Sequence, residues 1–449
     1  MDSEGWLALG RYAREVLAAQ DTRRFVLGFT LCGPLMRLWE FDRLGGIASE
    51  SFDINKDGLQ FVFTILGFLR MNEEDFGFDP SVVAEEGQRF VVIKRGGRTE
   101  RLVIDKLVAR KACVAGRATT CWRAHREEDP QTHLFIKDSW QDIKRDEEGD
   151  LLREATEKGV VNVARYCHHE TVQVRGTDDD IQSNARDGLD VTTATNYQPE
   201  RSMPSPTTVA FGASWEGSSS AAGEKRPYGQ LGTPLPPSNS RSAILATLEG
   251  CIKGHESLHE VGFLHRDISI NNLMINKDMD NPSWSSFLID LDLAVRERRE
   301  DTSRAKKGRA GTLAFMAVGV LLGEKHSFMH DLESFFWVLL WICLRYDGPH
   351  KWRDLPKYHH MNYVVTMESS ACQNKGQVID ERDFIRYAEE RFTPHCQPLV
   401  PWVNRLRRVV FPNGRRWETE DVGLYAWMRD VIGRARKDPK VLAEDSLTV

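Results

Sequence analysis

Residues 5–20 place Trp6, Leu7, Leu9, Ala13, Val16 and Leu17 on one face at helical spacing. RRFVLGFTL, CGP and LMRLWEFD then read as a strand, a Gly-Pro turn and a second strand. In Phe61 to Leu69, the residues Phe61, Ile65, Phe68 and Leu69 recur at three-to-four spacing, which predicts a helix. RFVVIK (89–94) and ERLVID (100–105) flank Gly96-Gly97 as a hairpin, and strands continue through LVARKACV, TTCWRA and HLFIK. From Val172 to about Arg241 the pattern breaks down. GTDDD, SMPSPTT, GSSSAAGEKRPYG and TPLPPSNS carry almost no aliphatic clusters and cannot bury enough apolar surface to offset chain entropy, so disorder is expected there. Helices dominate afterwards. Ile244, Leu248, Ile252, His255 and Leu258 form a stripe, and Phe335 to Leu344 is apolar nearly all round, hence buried. ERDFIRYAEERF and LYAWMRDVIGRA add further helices. A strand-rich half followed by a helix-rich half predicts an α+β arrangement.

The chain has 449 residues, which at roughly 150 per domain suggests two to three parts. A net charge of -6, from 60 Lys+Arg against 66 Asp+Glu, excludes a nucleic-acid binder driven by phosphate neutralisation. Eight cysteines without a C-x-x-C pair argue for reduced thiols and an intracellular protein, cytoplasmic or nuclear. The longest apolar run, Phe335 to Leu344, is half a bilayer span, and MDSEGW lacks the basic-then-apolar start of a signal peptide. Neither a membrane-spanning nor a secreted protein is expected.

One segment carries chemistry. In FLHRDISINNLMI, His265-Arg266-Asp267 is followed five positions on by Asn272; eighteen residues later Asp290 follows an apolar run in FLIDLDLA. Phosphoryl transfer asks little covalent help of a protein; it needs an oriented hydroxyl, metal ions on the phosphates and stabilised charge. A carboxylate such as Asp267 can accept the hydroxyl proton, while the amide oxygen of Asn272 and the carboxylate of Asp290 are hard ligands suited to Mg²⁺. By contrast, Asp53 to Gly58 starts like a calcium loop, but its twelfth position is Thr64 rather than a bidentate Glu, so a polar turn is expected.

The order H-R-D-x-x-x-x-N, then an apolar-flanked Asp, resembles the protein kinase signature. HRDISINN with LIDLDLA, together with RRFVLGFTLCGPLMRLWEFDR, GRATTCWRA and GTLAFMA, is similar to the fungal-type protein kinase family. The resemblance implies a bilobal kinase-like fold: residues 1–95 as an N-terminal extension packed on the N-lobe, 96–172 as a strand-rich N-lobe, 173–241 as a disordered insertion, and 242–449 as a helical C-lobe. It implies transfer of the γ-phosphoryl group of ATP, with Mg²⁺, to Ser/Thr hydroxyls of a protein substrate. Asp267 matches the catalytic Asp, Arg266 the Arg that answers a phosphorylated activation segment, and Asn272 and Asp290 the metal ligands. Lys137 in FIK matches the phosphate-holding Lys, with Glu148 as its expected partner and Glu147 and Glu154 as rivals. Gly116 matches the glycine-rich loop, and Asp331 the Asp that braces the catalytic loop.

Departures from that family pattern bear on activity. Ala118 and Cys121 stand where loop glycines belong, and a Cβ there hinders backbone approach to phosphate. Leu291-Asp292 replaces Phe-Gly, Ser269 replaces a Lys, and AVG (317–319) replaces A-P-E, so Gly319 stands where a buttressing Glu is expected. A fifth strand and hinge are needed before the helix near Ser242, and TTVAF (207–211) is the one weak candidate. Thr302, Ser303 and Thr312 beside Arg304, Lys306, Lys307 and Arg309 suggest a phosphorylation switch. The alternatives are a pseudokinase or scaffold whose ATP binding is impaired by a missing hinge, and a small-molecule kinase of similar fold.

Overall fold

The computed structural model describes residues 3–111, 113–142, 145–194, 221–228, 233–234, 240–276, 284–297, 311–348, 351–353, 375–376 and 378–443. Its described residues form two compact units. The first holds those up to Gly149 together with 166–194 and 221–228; the second holds 150–165 and those from Thr233 onward.

In the first unit, α1 (Ser3–Ala19) buries Ala13 and Leu17 against Val26 and Phe41 of the hairpin β1 (Val26–Cys32) and β2 (Leu35–Asp42). These two strands pair antiparallel across the Gly33-Pro34 turn, and β3 (Gly45–Ala48) and β4 (Phe52–Asp53) both add to β2. Asp53 to Asp57 is a polar turn, in which the Asp53 carboxylate accepts from the Asn55 amide, and it leads into α2 (Gly58–Arg70).

A seven-stranded antiparallel sheet follows, built on β5 (Val82–Glu85), β6 (Gln88–Arg95), β7 (Arg98–Arg110), β8 (Thr120–Arg126) and β9 (Asp129–Asp142). Alternating residues Val91, Ile93, Leu102, Trp122, Ala124, Leu134 and Ile136 fill one face of it. The β6–β7 hairpin turns at Gly96-Gly97, so a domain boundary at residue 95 would cut through a paired hairpin. β7 ends at Arg110, earlier than LVARKACV suggested.

Two stretches within 173–241 carry regular structure. After β10 (Glu170–Thr171) come β11 (Gln173–Val174) and β12 (Thr177–Asp178), then a π-helical turn over Ile181–Ala185. Buried ion pairs hold this stretch: Arg186 grips Asp42 through two hydrogen bonds of 2.6 and 3.0 Å, and Arg24 reaches Asp179 at 2.6 Å. Ile181 adds a fully buried contact with Ala118 and Trp140. Further on, β13 (Ala221–Tyr228) pairs with β9 and extends the sheet through β10. The extra strand of the sheet is thus Ala221–Tyr228; TTVAF (207–211) lies outside the described residues.

In the second unit, α4 (Arg241–Glu260) is capped by the Ser240 hydroxyl, which accepts from the Ala243 amide, and buries the predicted stripe. Gly254 is required there, because an added Cβ would stand 2.2 Å from the Asn162 carbonyl oxygen. Three short strands, β14 (Thr233–Pro234), β16 (Leu273–Ile275) and β17 (Ser286–Leu288), pair in a small sheet, and β15 (Phe263–Leu264) pairs with β18 (Val295–Arg296). α5 (Val318–Leu321) precedes α6 (Phe328–Arg345), whose side chains are buried all round. Each of its large apolar side chains, such as Phe336 and Leu340, contributes about 2 kcal/mol by leaving water. α7 (Glu381–Arg391), α8 (Val400–Val410), α9 (Gly423–Ala435) and the short α10 (Pro439–Leu442) follow. Among the described residues no helix is long and apolar enough to cross a membrane.

Candidate active site

In the strand-rich unit, Lys137 lies on β9, an interior strand paired to β8 on one side and β13 on the other. It is buried, and its Nζ stands 2.7 Å from Oε2 of the fully buried Glu148, the first residue of α3 (Glu148–Glu157). The rivals lie elsewhere: Glu147 faces His169 at 3.5 Å, while Glu154 pairs with Lys158 at 2.8 Å and Arg296 at 2.9 Å. A buried cation held this way presents a fixed positive charge in low dielectric. Gly116 sits in the loop joining β7 to β8 with φ +114, a conformation that favours glycine. Ala118 also has positive φ, +45, which costs about 1 kcal/mol or more for a residue with a Cβ. Its methyl group is buried against Trp140 and Ile181, which offsets part of that cost.

In the helical unit, β15 and β16 bracket the HRD segment, and β17 leads to Asp290. The pairing of Leu273 with Leu288 brings Asn272 and Ile289 alongside, and the Ile289 amide donates to the Asn272 carbonyl at 3.1 Å. Asn272 Nδ2 donates to the Asp267 carbonyl at 2.9 Å. With its amide nitrogen committed to the loop, Asn272 keeps its side-chain oxygen for a cation. Asp267 Oδ1 accepts both the amide and the hydroxyl of Thr312, at 2.9 and 2.8 Å. Burial raises the Asp267 carboxyl above its ordinary range, and the negative charge of Asp290 adds to the rise while Thr312 opposes it. A divalent cation between an amide oxygen and the Asp290 carboxylate would relieve that repulsion, so the all-oxygen donor set fits Mg²⁺.

The loop itself is braced. His265 is fully buried; its Nδ1 accepts from the Asp267 amide and its Nε2 donates to the Ile289 carbonyl at 3.0 Å. Burial lowers its pKa, which suits this neutral tautomer. Asp331, at the start of α6, accepts from the backbone amides of His265 and Arg266 and from the imidazoles of His255 and His326. Burial alone would raise its carboxyl; the charge of His326 and the hydrogen bonds of His255 and His326 hold it well below the usual range. Arg266 and Asp290 both adopt positive φ, +66 and +68, so strain of about 1 kcal/mol or more sits at each.

Two features escaped the linear reading. Thr312 is bonded to Asp267 across 45 residues; the adjacent Gly311 has φ +120, and an added Cβ would lie 2.8 Å from the Arg266 carbonyl oxygen. The Gly-Thr dipeptide was the available signal. Beside Gly319, where a Glu was expected, a carboxylate is present after all: Glu324 pairs with Arg416 at 2.5 Å and with His330 at 3.5 Å. Thr302, Ser303 and the basic residues Arg304, Lys306, Lys307 and Arg309 lie outside the described residues.

Residues 2–343 match the fungal protein kinase family. The chain belongs to that family. The chain is also similar to a probable serine/threonine-protein kinase of Dictyostelium discoideum, 36% identical over 117 residues. That match covers 26% of this chain and 8% of the relative. The family match takes in Lys137, Glu148, Asp267, Asn272, Asp290, Thr312 and Asp331, and ends in α6 before α7, α8 and α9.

Proposed function

We propose that this fungal-family kinase transfers the γ-phosphoryl group of ATP to a Ser or Thr hydroxyl of a protein substrate. The observation that carries the reading is the setting of Asp267. One of its oxygens is held by Thr312, and its carboxyl is shifted upward by burial and by Asp290, towards the pH at which a proton acceptor works best. Asp267 would orient the attacking hydroxyl and take its proton as the new P–O bond forms and ADP leaves with the old one. Asn272 and Asp290 would hold Mg²⁺, which supplies positive charge on the phosphates when bound. In the strand-rich unit, the Lys137–Glu148 pair is the candidate anchor for the α- and β-phosphates, and the loop at Gly116 the candidate phosphate cover. Arg266 would answer a phosphorylated activation segment.

A second reading, a pseudokinase that keeps the fold, draws on the strained Ala118 in the phosphate loop. One experiment separates the two. Purified protein with Mg²⁺ and labelled ATP, on a generic protein substrate, is expected to incorporate phosphate, and Asp267→Asn to lose it by at least about 100-fold. Equal incorporation by both proteins would sink the enzymatic reading. Absence of incorporation by the wild type, with no thermal shift on adding ATP, would favour the pseudokinase.

A further inference from the structure

Helix α2 is apolar but lies on the outside. Between Asp57 and Arg70 it has no charged residue, and none of its residues is buried. Phe61, Ile65 and Phe68 are half-buried on the side facing its own unit, where Phe68 meets Phe29 of β1 with ring centroids 6.0 Å apart. The opposite side carries a second apolar stripe. Leu59, Val62, Phe63, Leu66 and Leu69 recur at helical spacing and are 42% to 76% exposed. The exposed Phe29 and Leu31 of β1 continue the patch.

Exposed apolar area here is on the order of 700 Å², above what a typical monomer leaves in one patch and close to one partner's share of a standard interface. We propose that this face is the two-fold interface of a homodimer in which α2 packs antiparallel against α2 of a second copy. Two observations favour a second copy over other occupants. First, the stripe is self-complementary: an antiparallel register sets Leu59 opposite Leu69 and Val62 opposite Leu66, as an isologous contact requires. Second, the charges match only end to end. Asp57 precedes the helix and Arg70 closes it; both are exposed, and antiparallel packing places each beside the other's opposite charge, with the helix dipoles also opposed. An in-plane membrane helix would instead carry Lys or Arg along a polar face, and α2 has only Gln60 and Thr64 as polar side chains between its ends.

The test is sedimentation velocity on the full chain. The wild type is expected to be a dimer at about 10 µM and Leu66→Glu a monomer, the dissociation constant rising at least about 30-fold, since the two-fold axis counts the change twice. Leu66 is exposed, so a melting profile equal to that of wild type diluted until it too is monomeric checks that only association was lost. Asp57→Arg and Arg70→Asp should each weaken the dimer, and the double swap should restore it. In a parallel pair, where like faces like, the single swaps would leave association unaltered, which would overturn the proposal. A monomeric wild type, a dimer that survives Leu66→Glu, or a wild-type monomer that floats with anionic phosphatidylserine vesicles would each overturn it as well.

Discussion

Asp331 concentrates more of the His265–Asp267 loop's order in one side chain than any other residue described above, so replacing it tests the reading directly. Its Oδ2 accepts the amides of His265 and Arg266, both at 3.1 Å, and His255 Nε2 at 2.8 Å. Its Oδ1 accepts His326 Nε2 at 2.8 Å and a second, longer contact from the Arg266 amide at 3.2 Å. In Asp331→Ala both backbone N–H groups lose their acceptor in a site closed to water, at about 1–3 kcal/mol each, and two imidazoles lose a partner besides. The total is about 4–6 kcal/mol, close to the whole stability of a marginal domain. Asp331→Asn differs in kind. Its one oxygen can serve the two amides and His255, and its NH₂ can face His326. That imidazole can offer a bare Nε2 by moving its proton to Nδ1, which is buried and makes no hydrogen bond. The remaining loss is the charge assistance of one bond, about 2 kcal/mol. Urea unfolding at pH 7 gives both values, and amide exchange at His265 and Arg266 locates them. Protection should vanish in Asp331→Ala and persist in Asp331→Asn. If Asp331→Ala costs under about 1 kcal/mol, or the two variants lose protection equally, the acceptor count is not what holds the loop.

Glu40 gives a pH dependence with a definite sign. Burial, with repulsion from Asp42, pushes its carboxyl up from 4.5 to about 7, so the folded protein keeps a proton that the unfolded chain has released. Stability should therefore decline as pH rises from about 4.5 to about 7, by about 2 kcal/mol after discounting for partial exposure, and Glu40→Gln should remove that slope. A wild-type slope that survives Glu40→Gln would refute the assignment. Gly311→Ala should cost about 1–2 kcal/mol of backbone strain and drive Thr312 off Asp267, lowering phosphate transfer at least about 10-fold in a protein that still folds. Wild-type activity in Gly311→Ala would show that the Thr312 contact does not matter.

What the sequence made legible was short-range. The stripe of α4, the buried α6 and the two hairpins follow from periodicity within one element, and Asp267, Asn272 and Asp290 follow from spacing along one loop and one strand pair. What local patterns did not carry has a different cause. Most of the stretch from Val172 to about Arg241 is expected to be disordered because it is rich in Gly, Ser, Pro and Asp and carries almost no aliphatic clusters, yet within it Arg186 pairs with Asp42 across 144 residues and Asp179 with Arg24 across 155. Composition counts such residues as solvated; a partner far along the chain makes them interior. The Ala221–Tyr228 strand has no apolar alternation and joins its sheet through backbone pairing with β9, which no side-chain pattern reports. Thr312 and Arg416 likewise act on partners 45 and 92 residues away.

The same limit works in reverse at α2. Its three-to-four spacing identified the helix, and the usual inference from an apolar helix is an interior one, but spacing says only that a face exists, not what lies against it. Here both faces are apolar, and the unit's own structure half-covers one of them. The surplus of apolar surface in α2 and the surplus of paired charge around Arg186 and Asp179 are therefore complementary cases of what local composition does not report. In each, burial is decided by a partner that the local sequence does not contain: a residue some 150 positions away for the ion pairs, and, on the reading above, a second molecule for the helix.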